Sequence, residues 1–120
     1  KTIAAFLNTE GGTLVIGVED DGTICGIRSD LALTENSTDK FLNLLNTLIT
    51  DCIGPEFAGL IKTRIESVDD ELVCVVDVEK SSIPAYLEID GKKEFYVRMN
   101  NSSISLDPEE TVKYISQNWN

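Results

Sequence analysis

The residues able to do chemistry fall into four groups along a chain of 120 residues. An acidic turn, Glu19-Asp20-Asp21, places three carboxylates side by side. Oxygen donors in that pattern suit a divalent metal such as Mg²⁺ or Ca²⁺, with Asp20 as the leading candidate ligand and Glu10 as a further donor. The competing reading of Asp20 is structural, because aspartate in a turn hydrogen-bonds its own backbone. A basic stretch follows later: residues 80–106 hold Lys80, Lys92, Lys93 and Arg98 against Glu88, Asp90 and Glu94, a net of +1 (4 − 3), while the remaining residues carry −12 of the chain's −11 total. Tyr86, Phe95 and Tyr96 are interleaved with those bases. Bases and aromatics in that arrangement contact phosphates and stack on nucleobases. Arg98 stands at the end of an apolar run beside Asn100-Asn101-Ser102-Ser103, so guanidinium and small polar groups together make a candidate phosphate clamp. The candidate nucleic-acid contacts are therefore Arg98, Lys92, Lys93, Tyr96, Asn100 and Ser102. An ordinary solvated hairpin, or an ion pair from Arg98 to a carboxylate, is the competing reading.

Several chemistries are excluded. The chain has no histidine, which removes histidine general-base catalysis and histidine metal ligation. Cys25, Cys52 and Cys74 are an odd number with no C-x-x-C spacing, which argues against zinc and for reduced, largely buried thiols in a cytoplasmic protein. No apolar run approaches the roughly 18 residues of a membrane span. The glycines of Glu10-Gly11-Gly12 follow a helical pattern and open a strand, the reverse of a phosphate loop, and no Lys-Ser/Thr follows them. A net charge of −11 repels nucleic acid unless the basic hairpin is segregated from the acidic surface.

The elements that must position these residues read as follows. Residues 1–9 carry an apolar stripe of a helix, closed by Gly11. Residues 13–19 read as a strand covered on both faces, and Asp20-Asp21-Gly22 turns it into a second strand at 23–27. Residues 28–37 read as a loop. Phe41, Leu42, Leu44, Leu45, Leu48 and Ile49 recur at helical spacing, with Ser37 or Thr38 as N-cap and Gly54-Pro55 as the stop. Residues 60–68 and 72–78 pair around Asp69-Asp70-Glu71, and residues 85–89 and 94–99 pair around Asp90-Gly91. Residues 100–105 read as a polar loop. Asp107-Pro108-Glu109-Glu110 opens a last helix whose buried face holds Val112, Ile115 and Trp119. The expected fold is α+β: a mixed, mainly antiparallel sheet of about six strands with three helices packed on it. With 42% apolar and 26% charged residues, residues 1–120 make a single domain that folds around its own core.

The string Ala5-Phe6-Leu7-Asn8-Thr9-Glu10-Gly11-Gly12-Thr13-Leu14-Val15-Ile16-Gly17-Val18-Glu19-Asp20-Asp21-Gly22 resembles the Schlafen AlbA_2 domain family, also labelled divergent AAA-4. Its pattern A-F-x-N-T-x-G-G-x-L-x-I-G-V-x-D-x-G is matched through Asn8, Thr9, Gly11, Gly12 and Gly17, which read as structural motif positions. Phe95-Tyr96-Val97-Arg98 before a polar loop, and Pro84-Ala85-Tyr86, match two further family features. The usual glycine after the arginine is replaced by Asn100 or Asn101, the residue type next best suited to left-handed backbone.

The resemblance implies a DNA- or RNA-binding or transcription-regulating module of a larger bacterial-type protein. Some members carry a RecG-related helicase label, but no Walker lysine is present here to support ATP chemistry. In animal members this kind of domain is an RNA endonuclease with three acids, the third falling on Asp20. The two upstream glutamates have no counterpart, so the chain reads as a fragment lacking an N-terminal helix and strand, with no catalysis of its own expected. A protein-interaction or oligomerisation domain is the further alternative. The expected partners are nucleic acid, a second copy in a homodimer, and other domains of the same protein, with no membrane and no cofactor beyond that divalent metal.

Overall fold

The computed structural model describes residues 1–19 and 22–119. Four helices and six strands follow one another. They are α1 (Thr2–Asn8), β1 (Gly12–Ile16), α2 (Arg28–Leu31), α3 (Thr38–Cys52), β2 (Ile61–Val68), β3 (Glu71–Val78), β4 (Leu87–Ile89), β5 (Lys92–Met99), β6 (Ser102–Leu106) and α4 (Pro108–Asn118), with 3₁₀ turns at Ala32–Thr34 and Pro55–Leu60. The architecture is α+β, but the strands divide into two antiparallel sheets of three, ordered β1-β3-β2 and β4-β5-β6, in place of one sheet of six.

Turn chemistry sets the registers. Asp69 and Asp70 both take positive φ (49° and 64°), as do Asp90 and Gly91 (53° and 78°). Two-residue turns of that hand match the twist of the strands they join. They fix Val68 opposite Glu71 and Ile89 opposite Lys92. Asn100, at φ 55°, begins the β5–β6 reversal, which sets Met99 opposite Ser102.

Helix caps are local as well. Ser37 accepts the Lys40 N–H at the start of α3. Asp107 and Glu110 cap α4 reciprocally, with Pro108 at its first position.

α1 decides how the two sheets meet. Ala4, Ala5, Phe6, Leu7 and Asn8 are all buried, so this helix is enclosed rather than amphipathic. Phe6 and Leu7 join the core under the first sheet, with Ile27, Ile49, Phe57, Cys74 and Val76. Ala4 and Ala5 join a second cluster with Leu87 and Tyr96. Two alanines on that side let the helix backbone come close to β5.

Several local expectations are corrected. The strand expected to be covered on both faces is β1, yet it is a half-buried edge paired only to β3. The strand enclosed on both faces is β3, where Val73, Cys74, Val75 and Val76 are buried in succession. The expected strand at 23–27 reduces to one bridge, Val18 to Ile24, because the Cys25 and Gly26 N–H groups both donate to the Gly17 carbonyl and turn the chain away. The loop expected at 28–37 contains α2 and a 3₁₀ turn, and the polar loop at 100–105 is mostly β6. In α4 the buried residue is Thr111, whereas Val112 is 69% exposed; Ile115 and Trp119 are half-buried.

Candidate nucleic-acid interface

The motif between Asn8 and Gly12 closes α1 and ties it to β5. Asn8 is fully buried, and its amide bridges two elements distant in sequence. Its Nδ2 donates to the carbonyls of Ala85 (2.7 Å) and Tyr96 (2.9 Å), and its Oδ1 accepts the Ala85 N–H (2.8 Å). The Asn8 carbonyl accepts the Tyr114 hydroxyl from α4. One asparagine thus holds α1, the segment before β4, β5 and α4 together. Thr9 adds a second tie: its Oγ1 donates to the Ala5 carbonyl at 2.8 Å and accepts the Arg98 N–H at 2.9 Å.

Gly11 explains why glycine follows. At φ +74° a side chain is strained, and a Cβ would lie 2.5 Å from the Val78 carbonyl oxygen. A Cβ on Gly12 would enter the Phe6 ring at 2.8 Å. Gly17, at φ +106°, lets the chain pass Gly26, whose Cα would sit 3.2 Å from an added Cβ.

These ties place Arg98. Its backbone is fixed by Thr9, its Nη1 donates to Ser103 Oγ across the β5–β6 pair (2.9 Å), and its guanidinium lies 5.2 Å from the Phe6 ring centre. Ser103 Oγ is itself within 3.3 Å of Thr2 Oγ1. Arg28 and Arg64 pair with carboxylates, whereas Arg98 pairs with none among the described residues. A guanidinium has five N–H donors, so Ser103 leaves most of them unused. Beside it is a cleft of about 420 Å³ whose lining includes Thr9, Glu10, Gly11, Arg98, Asn100 and Asn101.

The structure does not gather all the sequence candidates into this cleft. Lys92 and Lys93 are exposed at the other end of β5. At about 3.4 Å per residue they stand about 20 Å from Arg98 along the strand. Strand alternation also puts them on opposite faces. Lys92 lines a pocket with Leu87, Ile89, Asp90 and Glu94. Lys93 faces Tyr86 and Glu88. Tyr96 is buried and its hydroxyl is engaged by Glu94, so its ring is packed away from solvent; that hydrogen bond and then burial raise its pKa above the ordinary tyrosine value. Asn100 and Ser102 are exposed at the β5–β6 reversal. Asp20 lies outside the described residues, and no group of three His, Cys, Asp or Glu side chains suited to a metal occurs among the described ones.

Phe6, Thr9, Glu10, Gly11, Thr13 and Asn101 are the lining residues that sequence reasoning left out of the nucleic-acid set, Thr9 and Gly11 having been read as structural motif positions. Phe6, Glu10 and Thr13 all lie within the A-F-x-N-T-x-G-G string or next to it, and Asn101 adjoins Asn100, so convergence of the two motifs was the signal that could have found them.

The family model for Schlafen, AlbA_2 matches residues 1–107. The chain belongs to the Schlafen AlbA_2 family. The match runs through both halves of the cleft, from the Asn8–Gly12 turn of this Schlafen AlbA_2 domain to its β5–β6 reversal. Among solved structures, the DIP2311 protein from Corynebacterium diphtheriae is similar, with a TM-score of 0.68 at 22% identity, which shows a shared fold. The alignment covers 98% of this chain and 21% of that one, so the chain spans about a fifth of that protein's length. No curated protein matches. Among the described residues, no helix is long and apolar enough to cross a membrane.

Proposed function

We propose that this Schlafen AlbA_2 domain is a nucleic-acid-binding module of a larger protein, and that Arg98 with its cleft is the principal contact. The observation that carries this reading is the state of Arg98. It is held by Thr9, Ser103 and Phe6, it lacks a carboxylate partner among the described residues, and it opens on a cleft lined by asparagine and threonine. A guanidinium held in place by neutral groups loses little freedom when it binds a phosphate, and it supplies paired donors to the phosphate oxygens. Lys92 and Lys93 are outlying phosphate contacts in this reading, on a backbone that runs the length of the second sheet. Transcriptional regulation would follow from binding DNA in the context of other domains, since ten bases against twenty-one acids give one domain little affinity of its own.

The test is fluorescence anisotropy with labelled single-stranded DNA, duplex DNA and RNA at two salt concentrations. Arg98→Ala is expected to weaken binding by about tenfold or more, the worth of a charge-assisted hydrogen-bond pair. The double variant Lys92→Ala, Lys93→Ala is expected to cost less. It should flatten the log–log salt dependence on a single strand by about 0.7 for each phosphate that a lysine no longer neutralises. Binding unchanged in Arg98→Ala would overturn the assignment.

A further inference from the structure

The cleft beside Arg98 contains an acid. Glu10 is exposed and lines the same cleft, yet no ion pair joins it to Arg98 among the described residues. A carboxylate in a site for phosphate alone is a cost, because it repels the ligand. In a site for a whole nucleotide it has a use: the cation meets the phosphate, and the carboxylate accepts N–H groups from the base. A carboxylate has two acceptor oxygens, and guanine is the base that offers two adjacent N–H donors, N1–H and the exocyclic amine, on one edge. Asn100 and Asn101, with mixed donor and acceptor groups, also line the cleft.

Size and charge narrow the ligand further. An open cleft of about 420 Å³ has room for one small organic group. In a duplex the pairing edge of guanine is occupied and the base is stacked, so only an unpaired nucleotide can present it. A duplex also lays a charge every ~1.7 Å along a protein of net charge −11, which penalises a long double strand more than a short single one.

Resting on the nucleic-acid reading above, we infer that the cleft takes one unpaired guanine nucleotide, with Arg98 on its phosphate and Glu10 accepting from its base. Glu10 is then a specificity-determining residue, weakening overall attraction while choosing the base.

The experiment measures anisotropy of labelled single-stranded heptamers of adenine with one central guanine or inosine, made as DNA and as RNA, and of a duplex containing the same guanine. Inosine lacks only the exocyclic amine. Wild type is expected to bind the guanine heptamer more tightly than the inosine one by about tenfold or more, the value of one hydrogen bond to a charged group, and more tightly than the duplex by about tenfold. Glu10→Gln is expected to bind all heptamers more tightly and to lose the guanine preference. Glu35→Gln, which removes the same charge from the exposed Glu35–Lys40 pair, is expected to keep it. The DNA and RNA arms show which sugar is tolerated. Equal binding of guanine and inosine, a preference that survives Glu10→Gln, or duplex binding as tight as single-strand binding overturns the inference. If Arg98→Ala still weakens binding by about tenfold or more in those cases, the nucleic-acid reading stands without it. Binding to none of the probes overturns both.

Discussion

Replacing Asn8 by alanine should be among the costly single changes on α1. The amide is fully buried and makes three hydrogen bonds of 2.7–2.9 Å to the backbone of Ala85 and Tyr96. Alanine would strip these partners from one N–H and two carbonyls in a place with no solvent access. A buried polar group left unpaired costs about 1–3 kcal/mol, and the Ala85 N–H, with one donor and no alternative, stands at the upper end. Carbonyls, with two lone pairs, stand at the lower end. The sum is about 5 kcal/mol, a large share of the roughly 5–15 kcal/mol that holds a domain of this size. With a urea slope of about 2 kcal/mol/M, the unfolding midpoint should fall by about 2.5 M. Trp119 provides the readout, since its ring packs edge-on against Phe95 of β5 at 6.3 Å, within the region that Asn8 holds together. Asn8→Asp should be no milder: it keeps the shape, loses both donors and buries a charge facing two carbonyls. A midpoint shift below about 0.5 M for Asn8→Ala would refute the reasoning, because it would mean these groups find other partners at no cost.

Three further outcomes follow from the geometry. Gly11→Ala should destabilise by about 3 kcal/mol or more, since it combines left-handed strain with a Cβ 2.5 Å from the Val78 carbonyl oxygen; urea unfolding measures it, and a neutral change would contradict the turn geometry. The Asp77 carboxyl is held below the usual carboxylate range, first by the Thr13 hydroxyl and then by Arg64, so its contribution to stability is present above the ordinary aspartate pKa and is lost as pH falls through its lower folded value. Urea midpoints taken between neutral and strongly acidic pH should therefore fall less steeply in Asp77→Asn than in wild type. Tyr96 has the opposite sign: its pKa is raised, so its contribution is present below the ordinary tyrosine value and is lost as pH rises through the higher folded one. In Glu94→Gln the tyrosinate absorbance of Tyr96 should appear at lower pH than in wild type, because the first cause of the shift is the Glu94 hydrogen bond.

Locally determined features were legible in the sequence, and features set by neighbours were not. The Ser37 and Asp107 caps, the Asp69-Asp70 and Asp90-Gly91 turns and the strands they join are specified within a few residues, and the structure has them. Whether a strand is central or at an edge depends on what pairs with it. The valines of β3 and the apolar run of β1 have the same periodicity, and only the pairing order makes one enclosed and the other an edge. β6 was hidden by its serines, although Ile104 and Leu106 alternate as a strand requires. The same limit applied to the site. Closeness in sequence suggested that Lys92, Lys93 and Arg98 act together, but an extended strand separates the lysines from Arg98 and puts Lys93 on the face opposite Lys92 and Arg98. Besides Ser103 nearby, Arg98 is held by Thr9 and Phe6, about ninety positions away, a distance in sequence that no local pattern reveals.

The most direct measurement is a titration of the ¹⁵N-labelled domain with a short single-stranded oligonucleotide, followed by amide chemical shifts. If the cleft beside Arg98 is the interface, the largest changes fall on Thr9 to Thr13 and on Arg98 to Ser103, with smaller ones at Lys92 and Lys93. Changes centred on Lys92 and Lys93 that leave Thr9 and Arg98 unmoved, or no changes at all at millimolar oligonucleotide, would contradict it.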